Sequence, residues 1–170
     1  MTEPREGFVS LEETTEQVRL MARRLAVLYH HAAEVLAERF GEAETEELLR
    51  EIVWRYGTES GESTRRQVEQ MGMPVTTDNF GLGSDLPKYG WESELRVGED
   101  GVTRACVTYC PFAKVWQEKG SERWGQIYCL VDEAKYRAYN GSLCRHAKHV
   151  LRGDDGCLFD YQEDPGYKGR

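Results

Sequence analysis

Five cysteines are the most reactive side chains of this sequence, and all of them lie in its C-terminal part. They are Cys106, Cys110, Cys129, Cys144 and Cys157. An odd number leaves at least one thiol unpaired in any disulfide scheme. In a reducing compartment, thiols gathered in one region indicate a metal site or a nucleophile, whereas buried structural cysteines are the third interpretation. The sequence leaves these three alternatives open.

Four soft donor side chains come from four separate predicted elements: Cys110, Cys129, His146 and Cys157. Three thiolates and an imidazole suit zinc or, less typically, an iron–sulfur cluster. Cys110 stands where a strand ends and a helix begins, and the helix dipole there predicts a lowered thiol pKa. No short CxxC knuckle is present, so the spacing does not choose between a metal site and a nucleophile.

A carboxylate shares a predicted helix face with one of these thiols. The face is formed by residues spaced i, i+3, i+4 and i+7: Cys129, Asp132, Glu133 and Tyr136. Burying Asp132 without a partner would be costly, so either this face is solvated or Asp132 has a specific partner.

Side-chain alternation on the next predicted strand places Cys144, His146 and Lys148 on one side. The same alternation places Arg145, Ala147 and His149 on the other side. On the last predicted strand one side carries Cys157, Phe159 and Tyr161. If these two strands pair, a Cys/His face meets a Cys/aromatic face.

The first part of the chain must be helical, because its apolar residues recur with the helical period. A capping box formed by Ser10 and Glu13 starts a helix that runs from 11 to 40. A second helix begins after Gly41 or Ala43 and reaches about residue 72. Gly57 and Gly61 lie inside it, where they indicate either close approach of a neighbouring backbone or a break.

The second part mixes strands and short helices. Strands over 91–97 and 102–109 form a hairpin around the Gly98–Gly101 turn, and Pro111 suits the first position of the next helix. Helices over 113–119 and 122–139 follow, and strands over 143–151 and 157–161 form a second hairpin. This order predicts one α+β domain over 1–170, with a helical part over 1–74 and a mixed part over 88–161.

Composition narrows the function classes. The chain has 170 residues, 39% of them hydrophobic, and a formal net charge of −8. A basic face is normal for proteins that bind nucleic acid or anionic membranes, so neither partner is expected. The polar start of the chain, Met1–Gly7, has no apolar core like that of a signal peptide, which favours the cytoplasm. The long helices offer a face for a homodimer.

Three segments resemble the L-2-amino-thiazoline-4-carboxylic acid hydrolase family. The first is RYGTESG at 55–61 with MGMP at 71–74 and Asn79-Phe80. The second is TYCPF at 108–112, continuing to YCLVDE at 128–133. The third is HAKHVLRGDDGCLF at 146–159. A shorter likeness links the Gly-Asp-x-x-Cys-x-Phe ending to the 4-vinyl reductase domain. Cys106 and Cys144 lie outside these motifs, and their roles stay open.

The resemblance implies a hydrolase that opens a cysteine-derived thiazoline ring, or a related C–N or C–S heterocycle, with water. The nucleophile would be a metal-bound hydroxide or the thiolate of Cys110 or Cys129. Asp132 or His146 would act as general acid or base. The cations that we expect to bind a substrate carboxylate are Arg145, Lys148 and Arg152. The alternatives are a ligand-binding sensor module without turnover, or a redox or metal protein that uses its thiols.

Overall fold

The computed structural model describes residues 9–83, 85–98, 101–162 and 164. Helices α1 (Leu11–Phe40) and α2 (Glu42–Gln70) occupy the first part of the chain, as predicted. Ser10 Oγ accepts from the backbone N–H of Glu13 at 3.1 Å, which is the predicted cap. The segment Met1–Gly7 and two residues of the predicted 98–101 turn lie outside the described residues.

The remaining elements form the mixed part. They are a 3₁₀ turn (Thr77–Leu82), β1 (Glu92–Val97), β2 (Thr103–Tyr109), α3 (Pro111–Glu118), α4 (Glu122–Tyr128), α5 (Val131–Asn140), β3 (Leu143–Lys148), a second 3₁₀ turn (Val150–Arg152) and β4 (Cys157–Gln162). Two hairpins form one antiparallel sheet in the order β1-β2-β4-β3. The predicted α+β class with two hairpins is therefore confirmed. No helix among the described residues has a stretch long and apolar enough to cross a bilayer.

The predicted single helix over 122–139 is wrong, because the structure divides it into α4 and α5. The backbone N–H groups of Leu130 and Asp132 donate to carbonyls three residues back, on Ile127 and Cys129. Such bonds tighten the backbone to a 3₁₀ turn and change the helix direction. Neither glycine nor proline marks this junction in the sequence. Cys129 therefore lies at the junction, not on a continuous helical face with Asp132.

The predicted side of Lys148 is also wrong, because β3 contains a bulge. His146 lies opposite Phe159, but Lys148 lies opposite Leu158, so Ala147 is an extra residue in the strand. Phe159 and Leu158 are neighbours in β4 and therefore face opposite sides of the sheet. Because Lys148 pairs with Leu158, its side chain lies on the side of the sheet opposite to that of His146.

Small residues allow α1 to approach the shorter helices closely. Ala26 packs with Val115 and Trp116 of α3 in one buried cluster, and Ala33 packs with Trp124 of α4 in another. The indole N–H of Trp116 donates to the carbonyl of Ala26 at 3.3 Å. This core fixes α3 and α4 on α1, and with them the strand end that carries Cys110.

Glycines in α2 set its distance to α5. A Cβ placed on Gly57 would lie 2.6 Å from the Cβ of Ala134, and one on Gly61 would overlap the carbonyl oxygen of Lys135. The two glycines thus mark a close helix–helix approach, which was one of the two predicted alternatives. This approach positions α5, whose first turns carry Asp132 and Lys135.

We expect Gly61→Ala to destabilise the protein by about 1–3 kcal/mol through overpacking, although alanine favours a helix by about 1 kcal/mol. Urea unfolding would measure the change. Gly81→Ala is the matched control, because a Cβ there meets nothing within 4 Å. A Gly61→Ala protein as stable as the parent would show that α5 shifts away without cost.

Candidate functional site

A cavity of about 730 Å³ lies between α1, α3, the 85–91 segment and the inner face of the sheet. Its wall is mainly apolar and includes Val18, Met21, Ala22, Leu25, Leu86, Pro87, Trp91, Val107, Phe112, Trp116, Tyr128, Val131 and Phe159. Five of the side chains selected from the sequence also line it: Cys110, Cys129, Asp132, His146 and Cys157. The fold therefore brings these five residues from five positions in the chain to one cavity.

Asp132 and His146 lie close to each other in the wall of this cavity. Asp132 stands in the first turn of α5 and His146 in β3, and His146 Nε2 lies 3.8 Å from Asp132 Oδ2. That distance permits an electrostatic contact but is too long for a hydrogen bond. Catalytic contacts of this kind often tighten only when a ligand binds.

The His146 imidazole is neutral at physiological pH. Burial, with smaller contributions from the neighbouring His149 and Arg152, lowers its pKa to about 4. The His149 ring packs against the His146 ring with centroids 4.4 Å apart, a contact that the bulge at Ala147 makes possible. A neutral imidazole has a free lone pair, so His146 can accept a proton.

His149 is held in one orientation behind His146. Its Nδ1 accepts from the backbone N–H of Leu151 at 3.1 Å, and the backbone N–H of His149 donates to Asp154 Oδ2 at 2.7 Å. Its Nε2 is buried and has no hydrogen-bond partner among the described residues. Burial, with the charge of Arg152, also lowers the pKa of His149 to about 4.

These two histidines predict acid sensitivity. Both have a folded-state pKa of about 4, below the ordinary 6.5, so protons bind the unfolded chain more readily. Their stabilising contribution is complete above pH 6.5 and is lost as the pH falls towards 4. Burial raises the pKa of Asp132 above its ordinary value, so this carboxyl acts in the opposite direction and favours the folded state as the pH falls through the raised pKa.

We expect His149→Asn to flatten this pH dependence, because asparagine keeps an acceptor near Nδ1 and does not titrate. Urea midpoints at pH 7 and pH 4.5, compared with those of the parent, would measure the change. An unchanged difference between the two midpoints would show that His149 does not contribute to the acid sensitivity.

The thiols of the cavity are protonated, contrary to the prediction for Cys110. Backbone N–H groups of Phe112 and Ala113 at the start of α3 do act on its sulfur, but burial outweighs them and raises its pKa. Burial raises the pKa of Cys129 well above its usual range and that of Cys157 to about 11. The helix dipole is thus a smaller effect here than desolvation.

The described residues include no group of three or more His, Cys, Asp or Glu side chains arranged to hold a metal ion. Cys110, Cys129, His146 and Cys157 share a cavity without forming such a group. Cys157 Sγ instead accepts from the backbone N–H of Val150 at 3.4 Å.

Cys106 and Cys144 are buried and do not line the cavity. Cys106 packs in β2 against the backbone at Gly156.

A buried ion pair that the sequence reasoning missed completes the polar end of the cavity. Lys135 Nζ donates to Asp85 Oδ2 at 2.8 Å, and both side chains are at most 10% exposed. Asp85 also accepts from Ser60 Oγ at 2.6 Å. The carboxylates of Asp132 and Asp85 outweigh burial and raise the pKa of Lys135. The i, i+3 spacing of Asp132 and Lys135 was the signal available in the sequence.

The three cations expected to bind a substrate carboxylate lie outside the cavity. Arg145 is exposed on the opposite side of the sheet, across from Asp160. Lys148 Nζ lies 3.5 Å from Asp155 on the same outer side. Arg152 is exposed and contacts Gln126, although its charge still acts on His146. The structure does not bring these three cations together with Asp132.

The sequence and the fold were compared with those of known proteins. A family model described as L-2-amino-thiazoline-4-carboxylic acid hydrolase matches residues 19–161, which is most of the chain. The comparison with curated proteins gave no match. Among solved structures, a trafficking protein particle complex subunit 3 from Naegleria fowleri, covalently bound to palmitic acid, shares the fold. It is 13% identical, with a TM-score of 0.54, over 88% of this chain and 99% of the other.

Proposed function

The chain belongs to the L-2-amino-thiazoline-4-carboxylic acid hydrolase family, and from that premise we propose that it hydrolyses a cyclic amidine or a related C–N or C–S heterocycle in the apolar cavity. One observation carries the proposal. A buried neutral imidazole, His146, lies 3.8 Å from a carboxyl group, Asp132, inside a cavity large enough for a ligand. Such a pair supplies a proton acceptor and a partner for a cationic amidine.

In the proposed reaction a water molecule attacks the amidine carbon and gives its proton to His146 Nε2. The ring C–S or C–N bond then breaks, and the leaving heteroatom takes the proton back from His146. Asp132 holds the amidinium group through charge-assisted hydrogen bonds. The apolar wall excludes bulk water and strengthens these electrostatic contacts.

Attack by a cavity thiol is the competing route. Cys110 or Cys129 would form a covalent adduct that water later hydrolyses. The raised pKa values of both thiols disfavour it, because burial keeps the two thiols protonated and a protonated thiol is a poor nucleophile. Water is therefore the proposed nucleophile.

The activity can be tested with L-2-amino-thiazoline-4-carboxylic acid and with 2-amino-2-thiazoline as substrates. Opening of the ring is the event that would be measured. We expect Cys110→Ser and Cys129→Ser to keep kcat within about tenfold of the parent, because neither thiol attacks. Cys106→Ala, outside the cavity, is the matched control. A covalent adduct in intact-mass spectra, lost with one thiol, would establish the thiol route. No turnover of any heterocycle would overturn the hydrolase proposal.

Binding of an apolar ligand without turnover is the second candidate function. The size and apolar wall of the cavity favour it, and the structural neighbour carries palmitic acid as its own covalent ligand. Native mass spectrometry of the purified chain would test it by detecting a bound lipid mass. A zinc or iron–sulfur site stays a prediction, which metal and sulfide analysis of anaerobically purified protein would test.

A further inference from the structure

The cavity is much larger than the ring that the proposed reaction needs. A cavity of about 150 Å³ holds benzene, which is close in size to a five-membered heterocycle. The cavity volume of about 730 Å³ is about five times that value. An apolar cavity gains little from ordered water, because water needs polar partners there. The remaining space therefore suits an apolar part of the ligand.

The two ends of the cavity differ in chemistry. Asp85, Lys135, Asp132 and His146 mark the polar end, whereas α1, α3 and the apolar residues Leu86, Pro87 and Trp91 supply an apolar wall. Met21, Leu25 and Leu86 belong to that wall and are 63%, 45% and 46% exposed, so they mark where it opens to solvent. An apolar substituent can thus extend from the polar end towards these side chains.

The charges at the polar end of the cavity indicate which charged group of a ligand can bind there. Lys135 is the only cation among the described cavity residues, and Asp85 already neutralises it at 2.8 Å. Asp132 then remains as an acidic group opposite a neutral imidazole. A ligand carboxylate would find no uncommitted cation there and would face Asp132. A positively charged amidine complements this charge instead.

We propose that the cavity takes a cationic amphiphile, an amidine or closely related C–N head group that carries a long apolar substituent. The head group lies between Asp132 and His146, and the substituent lies along α1 and α3. That this ligand is also the substrate rests on the hydrolysis proposed above.

Binding of decanamidine, acetamidine and decanoate tests the two halves of this proposal. Trp91 and Trp116 line the cavity, so the tryptophan fluorescence of the chain reports on its occupancy. Each buried methylene adds up to roughly fourfold in affinity, so we expect decanamidine to bind about 100-fold or more tightly than acetamidine. We expect decanoate to bind at least tenfold more weakly than decanamidine. Equal affinity of the two amidines would overturn the apolar part, and decanoate binding as tightly would overturn the cationic part.

Variants on one face of α1 locate the apolar substituent. Leu25→Glu or Met21→Glu should remove most of the chain-length preference, measured as the ratio of the acetamidine and decanamidine dissociation constants. Leu28→Glu is the matched control, because Leu28 is 66% exposed on the same helix and does not line the cavity. A chain-length preference that survives both cavity variants would overturn the placement along α1.

Turnover separates this inference from the proposed reaction. If 2-amino-2-thiazolines with and without an octyl substituent are both hydrolysed equally well, the hydrolase stands and the ligand class is wrong. If decanamidine shows the expected preference but no thiazoline is hydrolysed, the ligand class stands and the reaction is wrong.

Discussion

His146→Gln is expected to lower kcat by about 10²–10⁴, the usual contribution of a general base. Glutamine places an amide near the position of Nε2 but cannot take a proton from water. Binding of an amidine should change little, because Asp132 is retained. Steady-state kinetics on the best thiazoline substrate, together with amidine titration, would separate the two effects.

Arg145→Gln is the matched control for this variant. Arg145 precedes His146 in β3 but is exposed on the other side of the sheet, so its kcat should match that of the parent. A His146→Gln protein that keeps more than half of the parent's kcat would remove His146 from the mechanism.

Lys135→Met should destabilise the protein by about 3–5 kcal/mol, the typical cost of removing one partner from a buried ion pair. The ammonium of Lys135 offsets the charges of the buried Asp85 and the half-buried Asp132, and its loss leaves both uncompensated. The midpoint and slope of urea unfolding at pH 7 would measure the change.

Two further variants test whether charge causes this loss. Adding Asp85→Asn to Lys135→Met should restore part of the stability, because one uncompensated carboxylate is removed. Lys114→Met, at an exposed position of α3, should leave the midpoint nearly unchanged. If the double variant is no more stable than Lys135→Met, lost packing of the lysine stem accounts for the cost.

The spacing of apolar residues predicted the helix α1 well, but it did not predict the junction between α4 and α5. The 3.6-residue apolar spacing predicted α1 to its observed bounds, since that signal is repeated over eight turns of one helix. The junction at Cys129 and Leu130 has no glycine or proline. α4 packs in a cluster with Ala33 of α1 and Leu49 of α2, whereas α5 packs along the glycines of α2, and such packing leaves no local signal.

The sequence also selected five side chains of the cavity by chemical type, but it misplaced the cations. Strict alternation put Lys148 beside His146, and one inserted residue, Ala147, reversed that placement and brought His149 behind His146 instead. A bulge depends on cross-strand pairing, which a single strand does not encode. Asp85 was missed because its partner Lys135 lies 50 residues away in the sequence.

The sequence by itself determined the α+β class, the cap that starts α1 and five of the reactive side chains that line the cavity. These follow from local spacing, turn residues and side-chain type. Only the tertiary structure decided that Cys110, Cys129, Asp132, His146 and Cys157 meet at one apolar cavity. It also decided that the thiols stay protonated and that His146 stays neutral. Both outcomes depend on desolvation, which is set by the side chains that several distant segments pack around each group.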